Sequence, residues 1–381
     1  MKTKIIITIV LLTLLAGRGF SQFSITKGNS GLDIDGYIIT EYEKEFYPSG
    51  TTDMHNNKFT LGYAVLKFKG VSNRDLRYET EIDFSGLAAN PDNATMSIGD
   101  DFVKQFWVEY RGLKNVCDIK FGLNKVPFSH SSLTGEHNMI FLQRAYMIRN
   151  AFNRRDIGVT LHRSLWYKKI NIYAGAYTGM GGLSLGGDND ASGNLEYVGR
   201  IEFSYPEKYK DKSEADLVHL PTPVFTMGAN ARYTEKSINT GKDLITMVDG
   251  KKTGIGGDIN LKWEGLNINL EFDQFKIQPH ATSPVNLENK QTDYYRTGGV
   301  VCMANYYFAC IRSAFGVRYD EYNLNDLAIG DRQKDVCYAY NFFFNGWKSV
   351  FKIQYYQILK DPNTQALWTN NQIRIGYQFM F

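Results

Sequence analysis

The sequence predicts an all-β fold: a transmembrane antiparallel β-barrel of about 16 strands. Three observations carry that expectation. First, the closing residues alternate without a break. Ile373, Ile375, Tyr377, Phe379 and Phe381 are apolar or aromatic, and Gln372, Arg374, Gly376, Gln378 and Met380 lie between them. Successive strand side chains point to opposite faces, so one face suits hydrocarbon and the other suits water. Second, the chain has 25 Tyr, 24 Phe and 5 Trp, 14% aromatic, yet its mean hydropathy is −0.34. An apolar outer band with aromatic girdles around a wet interior produces that mixture. Third, short and long connections alternate between successive strand segments, as tight turns on one side of a membrane and long loops on the other require.

The elements follow in order. Lys2 and Lys4 precede an apolar run from Ile5 to Ala16, and the small residues Gly19 and Ser21 occupy the positions a signal peptidase reads. Residues 1–21 are therefore expected to be a cleaved signal peptide, and residues 22–381 one barrel domain. Losing the leader removes Lys2, Lys4 and Arg18 and no acidic residue, so the formal charge falls from +3 to zero. A chain without positive excess is no nucleic-acid binder. Four cysteines in an exported chain of this size are too few for a disulfide scaffold.

Alternation and turn chemistry place strands near 31–42, 59–69, 74–85, 102–112, 116–126, 156–167, 169–179, 196–206, 223–235, 254–264, 266–277, 294–307, 310–322, 334–344, 347–359 and 371–381. The alternation is cleanest where Leu76, Tyr78, Ile82 and Phe84 interleave with Arg77, Glu79, Glu81 and Asp83, and where Leu266, Ile268, Leu270 and Phe272 interleave with Asn267, Asn269, Glu271 and Asp273. Gly70-Val71-Ser72-Asn73 and Asn345-Gly346 make tight turns, whereas Glu207 to Thr222 is long where a tight turn is expected. The longest connection runs from Pro127 to Arg155 and holds a partly apolar stretch, Asn138 to Tyr146, expected as a short helix. A loop with its own apolar side chains must bury them. Folding into the lumen would do so and would narrow the pore.

Phe121-Gly122-Leu123-Asn124-Lys125-Val126-Pro127-Phe128, then Phe141-Leu142-Gln143-Arg144, then Arg154-Arg155-Asp156-Ile157-Gly158-Val159 resemble, in order and spacing, the central signature of the phosphate-selective porin O and P family. Tyr173 to Gly179, Val198-Gly199-Arg200-Ile201 and the closing Gln372 to Ile375 extend the resemblance over most of the mature chain. It implies a trimeric, sixteen-stranded barrel of the bacterial outer membrane, whose third external loop folds inward and whose lumen arginines and lysines conduct anions. Phosphate selectivity does not carry over with the fold. The inward faces are mixed: Arg77, Arg111, Lys120, Arg200, Arg232, Lys262, Arg312, Arg318, Lys352 and Arg374 share them with Glu79, Glu81, Asp83, Glu109, Asp118, Glu202, Asp258, Glu264, Glu271 and Asp273.

The candidate pore constriction comprises Arg144, Arg149, Arg154 and Arg155 of the long loop, opposed there only by Glu136, with Lys120, Arg77 and Arg111 on the wall. Two readings of the loop arginines stand open. They are free pore charges that focus an anion-attracting field, or pins to acidic wall residues, with Arg149 the one expected to stay free. His130 and His137 lack the further ligands a transition metal needs, so no metal and no cofactor are expected. The expected partners are outer-membrane lipid, small anionic solutes such as phosphate or organic anions, and two further copies of the chain. A barrel enzyme built on His162 with Asp156 and Thr160, and a plugged barrel serving adhesion, are the competing readings.

Overall fold

Sixteen strands form one closed antiparallel sheet in the computed structural model, which describes residues 23–28, 30–46, 57–85, 102–113, 116–181, 190, 192–206, 212–237, 248–280, 292–328, 332–359 and 371–381. The signal peptide expected over 1–21 lies outside these residues. A short strand, β1 (Phe23–Lys27), comes first. The barrel follows as β2 (Ser30–Glu45), β3 (Asn57–Val71), β4 (Leu76–Asp83), β5 (Val103–Tyr110), β6 (Asp118–Lys125), β7 (Arg155–Leu165), β8 (Ile170–Tyr177) and β9 (Glu196–Tyr205). It continues as β10 (Val224–Lys236), β11 (Gly250–Trp263), β12 (Leu266–Pro279), β13 (Tyr295–Phe308), β14 (Ser313–Asn323), β15 (Arg332–Phe343), β16 (Ser349–Ile358) and β17 (Gln372–Met380). Each barrel strand pairs with the next. The sheet closes when β17 returns to β2, with Gln372 opposite Glu45 and Met380 opposite Tyr37. Closure removes the unpaired edge that any open sheet leaves.

The sequence reading missed β1, whose five residues are too few for alternation to register. It pairs with Ser30 to Ile34 of β2, the stretch that β17 does not reach, because Phe381 ends against Gly36 (N–O 3.0 and 3.1 Å).

Burial is inverted relative to a water-soluble protein. Phe106, Phe121, Ile201, Ile255 and Phe315 are exposed on the outside, while Lys67, Glu81, Arg200, Lys262 and Lys352 are buried within. Exposed apolar surface of that extent marks a face that is not built for water. Arg312 and Glu264 are corrections to the expected inward set. Both are exposed in tight turns at positive φ: Arg312 (50°) ends the 3-10 turn Ala309–Ile311, and Glu264 (46°) opens the two-residue turn Glu264-Gly265, which demands positive φ at both positions.

One glycine is dictated by the wall itself. Gly122 of β6 has φ 119°, and a Cβ there would stand 2.3 Å from the carbonyl oxygen of Phe106. Gly122→Ala should therefore cost about 1–3 kcal/mol of backbone strain. The expected result is a reduced fraction of barrel that keeps its folded electrophoretic mobility without heating, and an unchanged fraction would refute the strain.

The long connection after β6 folds inward, as expected, but not as a helix over Asn138 to Tyr146. Short helices α1 (His130–Leu133) and α2 (Tyr146–Asn150) flank that stretch, with one 3-10 turn at Glu136–Asn138. The reason is geometric: consecutive side chains serve different walls. Ile140 and Phe141 pack with Met303, Tyr307 and Phe343; Leu142 packs with Tyr37, Ile39 and Val65; Met147 and Ile148 pack with Phe128, Phe275 and Tyr322. A helix would have aligned them on one face.

Candidate functional site

A loop inside a lumen needs a partner for every backbone group that it withdraws from water. The wall supplies them. Lys125 Nζ donates to Leu133 O (2.9 Å), Lys352 Nζ to Met139 O (2.8 Å), Arg318 Nη1 to Gln143 O (2.7 Å) and Lys252 Nζ to Ala151 O (2.6 Å). Gln354 makes a two-way clamp, donating to Ile140 O and accepting from Leu142 N, both at 3.0 Å. These four inward cations of the wall are thus committed to holding the loop, while Lys67, Arg200, Arg232 and Arg374 pair with wall carboxylates. The expected pinning was by wall carboxylates on loop arginines; what holds this loop is mostly wall cations on loop carbonyls.

The loop's own arginines converge on its own carboxylate. Glu136 Oε1 lies 3.2 Å from Arg144, 3.4 Å from Arg154, 3.3 Å from Arg155 and 3.6 Å from Lys104, and its Oε2 accepts from Tyr37 Oη at 3.3 Å. Burial alone would raise the Glu136 pKa, but Lys104, Arg155, Arg144 and Lys125 override it and hold the carboxyl well below its ordinary range. Arg154 is lowered to about 10, by burial and then by Arg144 and Arg155, and stays charged at neutral pH. His130 and His137 are pushed down to about 3, chiefly by burial, and are neutral.

The candidate residues therefore separate. Arg144 is buried, bonded to the carbonyls of Ser131 and Thr134 as well as to Glu136. Arg154 and Arg155 belong to the Glu136 cluster, and Arg155 also approaches Glu81 at 4.0 Å. Arg149 stands apart. It is exposed on α2, its guanidinium 5.4 Å from the Tyr146 ring centre, and has no hydrogen bond or ion pair among the described residues. On the wall, Lys120 lies over Trp107 (4.1 Å) and 3.8 Å from Glu109, and Arg111 pairs with Glu109 at 2.5 Å. Arg77 is exposed at the tight-turn end of β4, opposite Glu109 in the register, and does not join the loop cluster.

Lys104 was not foreseen. The β4–β5 register slips between Glu81 and Ile82, leaving Lys104 bulged, so that Lys104 and Gln105 both turn inward. Strict alternation points Lys104 outward, in line with Phe106.

Two cavities flank the loop. One of about 530 Å3 reaches from the tight-turn rim at Arg111 and Asp118 to the loop at Glu136, between β3 and β8. Lys67, Lys69, Arg111, Lys120, Lys125 and Lys212 line it, against Glu79, Glu81, Glu109, Asp118 and Glu136. The other, about 210 Å3, lies at the long-loop end and is lined by Arg149, Arg318 and Arg374 with Glu43, Glu45 and Asp335.

His162 does not assemble an activated nucleophile with Asp156 and Thr160. It stacks on Tyr173 (4.6 Å) and stands 3.6 Å from Asp118 and 3.4 Å from Ser164 Oγ, whose proton goes to Asn171 Oδ1 at 2.7 Å. Asp156 instead accepts from the Gly179 amide, and Thr160 meets Tyr177 and Asn124.

A family model described as phosphate-selective porin O and P matches residues 42–381. No curated protein matches the chain significantly. Among solved structures, the chain is similar to the outer membrane channel DcaP of Acinetobacter baumannii, with 11% identity and a TM-score of 0.60 over 95% of this chain and 100% of that one. It is similar to an anion-selective porin from Comamonas acidovorans, with 10% identity and a TM-score of 0.57 over 92% and 100%. It is also similar to OmpT of Vibrio cholerae in its trimer form, with 10% identity and a TM-score of 0.56 over 93% and 100%. At such identities these likenesses show the fold alone.

Proposed function

We propose that this chain, which belongs to the phosphate-selective porin O and P family and forms a porin channel in a bacterial outer membrane, passes small hydrophilic solutes by diffusion with a bias toward anions. Phosphate is the cargo that the family name supports, and small organic anions share its charge. No catalytic step and no cofactor enter the mechanism.

One observation carries the anion bias: among the described residues, Arg149 is the loop cation left without an ion pair at the long-loop mouth. Arg144, Arg154 and Arg155 share the Glu136 carboxylate, which offsets part of their charge, and Glu79, Glu81, Glu109 and Asp118 face the cations of the larger cavity, whereas no carboxylate pairs with Arg149 among the described residues. An unpaired charge between low-dielectric walls acts on every ion that passes.

In planar bilayers under a salt gradient, the mature protein should give stable open steps with an anion-directed reversal potential. Arg149→Ser should move that potential toward cations while the step size stays within roughly a quarter of the original, since the side chain adds charge and little obstruction. A reversal potential identical in the two proteins would remove Arg149 from the selectivity mechanism. Absence of any open step would sink the channel itself and favour a plugged barrel.

A homotrimer is the assembly we favour, supported by the trimer form of the similar Vibrio cholerae porin. Native mass spectrometry of the detergent-extracted protein decides it.

A further inference from the structure

Opposite charges face the long-loop cavity without meeting one another. Of its other ions, Lys58 lies 3.3 Å and Arg374 2.5 Å from Glu43, and Glu45 accepts from Gln372 Nε2 at 3.1 Å. Arg149, Arg318 and Asp335, which line the same cavity, form no ion pair among the described residues. Arg318 is the diagonal neighbour of Asp335 in the β14–β15 register, near enough for a cross-strand pair, since Asp320 lies directly opposite Asp335. The loop prevents it. Gln143 O takes Arg318 Nη1 at 2.7 Å, and the Phe141 ring sits 4.7 Å from the guanidinium carbon.

The consequence is an unsatisfied polar lining. Among the described residues, Arg318 Nε, Asp335 Oδ1 and Gln333 Oε1 of the lining, and Asp320 Oδ1 opposite Asp335, have no hydrogen-bond partner, although Arg318, Asp335, Gln333 and Asp320 are only 4%, 4%, 6% and 1% exposed. Leaving such groups unmet is costly, and a ligand that meets both signs at once recovers that cost. A simple anion meets one pole and leaves the carboxylates facing each other; a simple cation does the reverse. At about 210 Å3 the cavity is below the range of roughly 300–1,000 Å3 usual for drug-sized ligands.

We propose that this mouth is a binding site for a zwitterionic α-amino acid. The ligand's ammonium lies against Asp335, with Asp320 behind it, and its carboxylate meets Arg149, with the Arg318 charge in support. The site rests on the porin reading for its biological meaning, but its occupancy does not require conduction.

Calorimetry on the mature protein in detergent tests it, with L-alanine, propionate and ethylammonium as probes and bilayer conductance measured in parallel. L-Alanine should bind at least about tenfold more tightly than either one-charge analogue, a difference of about 1.4 kcal/mol. Asp335→Asn and Arg149→Gln should each remove that preference, in barrels whose unheated electrophoretic mobility is unchanged. Propionate binding as tightly as L-alanine, and surviving Asp335→Asn, would make the mouth a plain anion site and overturn the proposal. No heat with any of the three would also overturn it. Binding without any open conductance step would spare the site and sink the porin reading.

Discussion

Glu136→Gln is expected to loosen the inward loop and to drive the reversal potential further toward anions, because it deletes the carboxylate that Lys104, Arg144, Arg154 and Arg155 share. Glu136 is 4% exposed, and removing one side of a buried ion pair costs about 3–5 kcal/mol, since the remaining charge is left without compensation. Here four cations would be left crowding one another. The local barrel should persist, being held by backbone pairing, but the loop should sample positions off its seat. Single-channel records should show excess open-state noise and a stronger anion bias. A quiet channel with the parent reversal potential would mean that Glu136 does not organise the constriction.

The pH dependence of the parent protein follows from the same carboxylate. Its folded pKa is depressed, so the stability it contributes is fully present above the ordinary carboxylate value of about 4.3 and is lost as pH falls toward the folded one. Current noise in the parent should therefore stay flat from neutral pH down to roughly that value and rise below it. In Glu136→Gln the noise should be high throughout. Replacing Arg144, Arg154 and Arg155 by Ser is the reciprocal case: it strands Glu136 and shifts selectivity toward cations, at a cost to loop order that Arg149→Ser does not incur.

Much of this was legible in the sequence, and the failures have physical causes. Strict alternation in Leu76 to Phe84 and in Ile373 to Phe381 placed strands and faces, because a wall between lipid and water enforces period two on every residue it contains. Lys104 escaped because a bulge inserts one residue and reverses facing locally, and nothing in Phe102-Val103-Lys104-Gln105 signals it. The loop stretch at Asn138 to Tyr146 escaped because its apolar residues answer to several walls at once, information that lies in β2, β13 and β14 rather than in the stretch itself. The role of Lys352, Lys252 and Arg318 as donors to loop carbonyls was illegible for the same reason: an inward lysine reads alike whether it faces water or a main-chain oxygen.

Replacing Ser213 to Val218 by a flexible Gly/Ser stretch should open the channel further than any single substitution, roughly doubling the conductance step. These residues belong to the one connection that breaks the parity of short and long, and residues 212–223 show why. On the tight-turn side, which the topology makes periplasmic, the chain enters the lumen and meets the inward loop from the opposite end. Glu214 accepts from Ile140 N (2.9 Å), its amide donates to Asn138 O (2.8 Å), and its carbonyl accepts from Asn305 Nδ2 (2.6 Å). Thr134 Oγ1 donates to Lys212 O (2.9 Å), and Asp216 accepts from the amides of Leu220 and Gly265, both at 2.9 Å. Ala215 and Leu217 join Ile140, Phe141, Tyr307 and Phe343 in one apolar cluster against β13 to β16. That sector of the lumen is therefore filled from both ends, and the larger cavity lies across from it, between β3 and β8. If the two inward segments buttress each other, removing the lower one should do two separable things: widen the aqueous cross-section, and free Ile140 and Phe141 so that the loop flickers. A larger step without flicker would mean that the wall alone seats the loop, and an unchanged step would show that ions never depended on the filled sector.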